Sequence, residues 1–132
     1  MNNLYGWAMS EYLPYGDFEW LKNVDELDVM SINKKSDVGY ILEVDLKYPK
    51  ELHELHNDYP LAPEKLTVTN DILSNYYKSI ADKYEIKVGD VKKLIPNLGN
   101  KIKYVVHYRN LQLYLSLGMK LTKIQSVKIQ TV

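Results

Sequence analysis

The sequence has no cysteine, a single phenylalanine, six scattered glycines and no excess charge of either sign. Each shortage removes a class of explanation. Without cysteine there is no disulfide framework and no thiolate zinc site. Seventeen basic residues balance seventeen acidic ones, whereas a chain that binds nucleic acid by itself carries a basic excess that displaces counterions from phosphate. The glycines match neither phosphate-cradling spacing, GxGxxG or GxxxxGK[ST]. No run approaches the roughly 18 apolar residues of a membrane span. The start also lacks the basic-then-apolar pattern of a secretory signal, so an intracellular setting away from membranes is expected.

Tyrosine is abundant, with 12 copies against one Phe and two Trp. Its ring suits surfaces that are half buried with one end wet, so several faces that are neither core nor free solvent are expected. The 132 residues suffice for one domain or part of one.

The patterning is α+β. "VGYILEVDLKYP" (38–49) alternates strictly, with Tyr40, Leu42, Val44 and Leu46 on one face and Ile41, Glu43 and Asp45 on the other, and reads as a strand ended by Pro49. "NDILSNYYKSIADKY" (70–84) reads as a helix capped by Asn70 with a stripe of Ile72, Leu73, Tyr76, Tyr77, Ile80 and Tyr84. "KYVVHY" (103–108) is a strand, "RNLQLYLSLG" (109–118) a helix closed by Gly118 with Leu111, Tyr114, Leu115 and Leu117 inward, and 119–130 a final strand. Residues 1–10 read as a strand end entering a short helix or turn, 13–20 as a loop around Pro14 and Gly16, 21–32 as a short helix, 50–58 as two helical turns, and 59–66 as an extended loop.

Local chemistry names no reaction. His53 and His56 have a spacing that can place two imidazoles on one metal, but no third ligand stands at an obvious offset, and an exposed helix face is the plainer reading. Glu43 and Asp45 share a strand face, as paired carboxylates that hold magnesium do; the plainer reading is the wet side of a half-buried strand. His107 lacks an evident nucleophile to serve. Arg109, Lys120 and Lys123 can touch phosphate or simply solvate a surface.

The opening "NNLYGWAMS", followed by "LPYG" and "FEW", resembles motif A of the protein-primed family-B DNA polymerases of self-synthesising transposons, organellar plasmids and viruses. The family pattern is D-x-x-S-L-Y-P, often written D-x-N-N-L-Y-G-W-A-M-S in this branch. The runs 39–66 and 94–124 are similar to the same branch and cover much of the chain in order. The resemblance implies a partial polymerase palm with the insertion between motif A and the fingers. Residues 1–132 then form a single partial domain: a motif A remnant and turn (1–20), an insertion-like region (21–102), and a strand–helix–strand leading towards the fingers (103–132). Tyr5 matches the tyrosine that stacks under the incoming sugar and rejects a 2′-hydroxyl. Asn3 and Leu4 match positions whose backbone approaches the triphosphate. Met1 matches the residue after the catalytic aspartate, with a carbonyl near the metal.

That aspartate would precede Met1, so no catalytic residue is assigned here. The resemblance implies DNA-directed DNA polymerase (nucleotidyltransferase) activity in protein-primed DNA replication. The parent enzyme would use Mg2+, a DNA template-primer, deoxynucleotides and a terminal priming protein. This chain alone is expected to be inactive and prone to self-association. The alternative is a non-catalytic protein-interaction module or a degenerate mobile-element relic. "EVDLKYP" (43–49) is a second, poorer likeness of motif A, with Glu43 for Asp and Lys47 for Leu, which makes Tyr48 scaffold. The last eight residues depart from the family pattern.

Overall fold

A computed structural model describes residues 3–12, 15–87, 89 and 91–131. The elements run α1 (Leu4–Ser10), β1 (Gly16–Trp20), β2 (Val38–Lys47), β3 (Glu64–Thr67), α2 (Asn75–Lys83), β4 (Lys92–Ile95), β5 (Lys101–His107), α3 (Tyr108–Ser116) and β6 (Lys120–Thr131). Helix and strand are mixed, as an α+β chain requires. The chain divides into two compact units, 1–55 with 99–132, and 56–98. Among the described residues no helix is long and apolar enough to cross a membrane.

The first unit is built on a four-stranded antiparallel sheet in the order β1-β6-β2-β5. Because β5 and β6 both run antiparallel to β2 and flank it, they are parallel to one another, and α3 is the crossover between them. The alternation of β2 decides which side α3 covers. Leu42, Val44 and Leu46 are buried and, with Val106 and Val127, form the inner face. Tyr108 and Leu111 of α3 are buried with them. Each such side chain contributes about 2 kcal/mol of hydrophobic stabilisation. Tyr40 meets Tyr108 edge-on, with centroids 6.1 Å apart.

The end of α3 follows from Gly118. Its φ of 103° is a conformation that side chains disfavour. The Gly118 amide bonds Leu115 O at 3.1 Å and the Met119 amide bonds Tyr114 O at 3.1 Å, the paired bonds of a Schellman motif. Met119 is buried just beyond. Of the expected stripe Leu111 is buried and Tyr114 and Leu115 are half-buried, but Leu117 is exposed, and Gln112 is buried in addition.

Several expectations in the first unit need correction. Residues 21–32 form no continuous helix but two single 3-10 turns, Val24–Glu26 and Val29–Ser31. The Asp28 carboxylate accepts from the Met30 amide at 3.0 Å and restarts the chain, and Leu27 and Ile32 are extended. Residues 16–20, expected as loop, are an edge strand on β6, with a register shift between Gly16 and Glu19; Leu13 and Pro14 of that expected loop lie outside the described residues. The 50–58 stretch keeps one 3-10 turn, Lys50–Leu52.

In the second unit, β3 and β4 form an antiparallel pair from Glu64↔Ile95 to Thr67↔Lys92, neither of which was expected as a strand. Helix α2 begins at Ser74, whose side chain accepts from the Tyr77 amide at 3.1 Å. Asn70 instead opens a separate 3-10 turn, Asn70–Ile72, and Leu73 is extended. Asn and Ser are nearly equal as caps, so their order in the chain did not discriminate. The α2 stripe is largely exposed at Tyr76, Tyr77 and Tyr84, and Ala81 is its buried residue.

Candidate functional site

The turn "NNLYG" is shaped by Asn3. It occupies the left-handed region at φ 58°, ψ 51°, and its side chain accepts from the Gly6 amide at 3.1 Å. Asparagine tolerates this conformation better than most residues, and Gly6 leaves room, since a Cβ there would collide with the Asn3 amide. The result is a capped, seven-residue α1 that starts at Leu4. Tyr5 sits on its first turn, 86% exposed, and Leu4 is also exposed. Met1, assigned a metal-proximal carbonyl, lies outside the described residues. Tyr48 of the second motif A likeness is 3% exposed, with its amide donating to Asn100 Oδ1 at 2.8 Å.

The Glu43 and Asp45 carboxylates share the outer sheet face, and both are engaged. Asp45 accepts from the Lys103 amide at 2.8 Å and from Gln125 Nε2 at 2.7 Å. Its own carbonyl accepts from Thr122 Oγ1 at 2.9 Å. Pairing shifts register on both sides of β2 here, and Lys103 has a φ of 52°. Asp45 thus satisfies polar groups that the interrupted ladder leaves over. Ser126 Oγ lies 3.5 Å from Glu43 Oε2. The wet-face reading is the one this geometry favours.

His53 packs edge-on against Tyr48 with centroids 5.6 Å apart, in the first unit, and His56 belongs to the second. Among the described residues no group of three or more His, Cys, Asp or Glu side chains is placed to hold a metal. Lys120 and Lys123 are exposed on β6, and Lys123 is the register partner of Asp45.

Sequence reasoning missed a cleft of about 690 Å³ lined by Trp7, Ala8, Glu11, Tyr12, Lys34, His107, Arg109, Asn110 and Leu113. Trp7 and Ala8 lie on α1 and Glu11 is the extended residue that ends it, and His107 to Leu113 lie at the start of α3. A 3.0 Å ion pair between Arg109 Nη1 and Glu11 Oε2 joins the two helices. The Tyr108 hydroxyl donates towards Asn33 O at 3.2 Å and Lys34 O at 3.3 Å, which fixes the loop that carries Lys34. Burial, with a smaller contribution from Tyr40, raises the pKa of that hydroxyl against the opposing pull of Arg109. No periodic signal marked the cleft: Trp7 and Ala8 lay inside the 1–10 stretch read as a strand end entering a short helix or turn, and Glu11 lay beyond it.

His107 caps α3, its Nδ1 accepting from the Arg109 amide at 3.4 Å. Only the neutral ring can accept there. Burial first, and the Arg109 charge second, hold its pKa below the usual 6.5. The unfolded chain therefore takes up this proton before the folded one. Stability is complete above about pH 6.5, falls as pH drops from there to the lowered folded value, and is level below it. Thermal melts between pH 7.5 and 5 should show this loss in the wild type and a shallower one in His107→Asn, which keeps a capping oxygen without titrating. Parallel profiles would assign the loss elsewhere.

No protein-family model matches this chain, and no curated protein or solved structure matches it.

Proposed function

We propose that this chain is part of a template-directed DNA polymerase of the protein-primed family-B type, carrying the sugar-sensing turn and the sheet that follows it as a partial palm. The observation that carries the reading is the turn "NNLYG": a capped helix start holding an uncovered Tyr5 ring, the presentation a sugar gate requires. Residues 101–124 of the run 94–124 supply β5, α3 and the start of β6, whose strands flank β2 in one sheet, and this supports the reading.

The residues near Tyr5 do not fit a magnesium site. Asn3 uses its side chain as a cap, and Glu11, the acidic residue closest in sequence to Tyr5, is paired with Arg109. Asp45 is bonded through both oxygens. Two-metal phosphoryl transfer needs bridging carboxylates, so in this reading they come from a longer parent protein. The purified 132-residue chain, given primer-template, deoxynucleotides and magnesium, is expected to extend nothing; template-dependent extension would overturn that expectation. The polymerase reading itself is tested in the coding DNA. An aspartate codon in frame just upstream of the Met1 codon supports it, and stop codons on both sides count against an active parent.

A second reading, a non-catalytic interaction module, is favoured by the exposure of Phe18 and Trp20, alternate residues of the edge strand β1, since exposed apolar side chains on an unpaired edge invite association. Sizing the expressed chain tests this reading: a stable oligomer of fixed stoichiometry favours the module over the open-ended association expected of a fragment, and a concentration-independent monomer counts against both.

A further inference from the structure

The sheet of the first unit and the strand pair of the second each leave an edge open, and the two edges carry opposite charge. Strand β1 ends the order β1-β6-β2-β5, so one side of its backbone has no ladder partner among the described residues. Its sequence is GDFEW, and Asp17, Phe18, Glu19 and Trp20 are all exposed. Strand β4 pairs with β3 in a sheet of two. Its sequence is KKLI, and Lys92, Lys93 and Leu94 are exposed. Among the described residues Asp17, Glu19, Lys92 and Lys93 form no ion pair.

Like charges guard each edge against its own copy. A second β1 laid antiparallel about Phe18 sets Asp17 opposite Glu19 at two places, an unfavourable cross-strand pair. A second β4 on β4 gathers four ammonium groups on two short strands. Pairing β1 with β4 removes both conflicts. With Glu19 opposite Lys93, an antiparallel register also sets Phe18 opposite Leu94 and Trp20 opposite Lys92. Phe18 and Trp20 share a face, since both rings meet Lys128 Nζ, at 5.9 and 4.9 Å. Lys92 and Leu94 share one by alternation. A lysine arriving beside Trp20 also meets a cleft of about 480 Å³ lined by Glu19, Trp20, Lys22, Glu26 and Leu27 among others. There its stem finds apolar walls and its ammonium finds an indole and carboxylates. The ladder is short, because the register with β6 shifts between Gly16 and Glu19, so charge rather than backbone pairing sets the selectivity.

We infer that these edges form a docking surface for a second copy of this chain, with β1 of one copy adding to β4 of the next. The contact is heterologous: each copy offers one β1 and one β4, and copies join head to tail. It requires neither a polymerase parent nor a foreign partner.

Sedimentation of the full chain tests this. The average mass of the wild type is expected to rise with protein concentration. It should fall as NaCl goes from about 50 to 500 mM, because exposed charges are screened. Asp17→Lys with Glu19→Lys makes both edges basic, and Lys92→Glu with Lys93→Glu makes both acidic. Each double variant should associate at least about tenfold more weakly than wild type. An equimolar mixture of the two should regain association, since each then finds an opposite edge, and so should the chain carrying all four changes. The four side chains are exposed, so the variants are expected to fold, which thermal melts confirm.

A wild type that stays monomeric up to about 1 mM, where even a millimolar contact is substantially formed, would overturn the proposal. Association undiminished by salt would also overturn it, whether or not the variants fold, and would identify bare apolar faces instead. So would double variants that associate as wild type does, or a mixture that fails to regain what they lost.

Discussion

Gln112→Glu is expected to remove about 3 kcal/mol or more of folding stability at neutral pH, because it places an acceptor where two carbonyls already point. Gln112 is 6% exposed, and its Nε2 donates to Val29 O and Ile32 O, each at 2.8 Å. Its Oε1 is buried without a partner. The reversed amide would set that oxygen against both carbonyls, so the orientation is decided by the chain it holds. A glutamate of the same shape has two poor options. Ionised, it brings a desolvated charge against two carbonyl dipoles; protonated, it supplies one O–H where two N–H groups stood.

The new carboxyl therefore has a folded pKa raised above its unfolded value near 4.3. Its penalty grows as pH rises from that unfolded value towards the raised folded one, and is constant above. Urea melts at pH 7.5 and 4.5 should show partial recovery at the lower pH relative to wild type. Gln112→Met, which loses both bonds without adding charge, should lose about 2 kcal/mol at either pH. If Gln112→Glu stays within about 1 kcal/mol of wild type at pH 7.5, the two bonds are not what holds residues 29–32 on α3.

Gly118→Ala is expected to lose about 2 kcal/mol through two separable effects. One is local: φ is 103°, where an alanine is strained regardless of its surroundings. The other is a contact, since a Cβ would sit 2.9 Å from Leu52 Cδ1 and 3.2 Å from Cδ2. Combining it with Leu52→Ala should restore the contact share and leave the backbone share, so chemical denaturation of the four proteins gives a measurable coupling. A loss below about 0.5 kcal/mol would mean that α3 ends equally well without the Schellman bonds.

These two residues mark different degrees of legibility. Gly118 was readable as a helix stop because its reason is local, a conformation open to glycine just after a helical stripe. Gln112 was not. Inside an apolar stripe it looked like a solvent-facing polar residue, and its partners lie 80 and 83 positions away. The same two bonds tie the end of the broken 21–32 segment to α3, a tertiary contact that the local pattern did not carry.

The candidate site divides likewise. Asn3, Tyr5 and Gly6 belong to a local turn; the resemblance marked Asn3 and Tyr5, and the Asn3–Gly6 bond that shapes the turn came from the structure. Lys34, His107 and Arg109 form a cleft only when α1 reaches α3, with Glu11 paired to a residue 98 positions on. Glu43 and Asp45 were legible as neighbours on one face. That Asp45 serves a register shift required the positions of Lys103 and Gln125, because a shift belongs to a pair of strands and not to one.

By itself, then, the sequence determined the alternating core face of β2, the strand–helix–strand that ends the chain and the glycine stop of α3. Each rests on side-chain periodicity or on the conformational preference of one residue. The tertiary structure alone decided the edge strand β1, the two 3-10 turns, the engagement of the outer-face carboxylates and the α1–α3 cleft. Those features depend on hydrogen bonds and ion pairs between segments far apart in the chain, and such pairings carry no periodic signature.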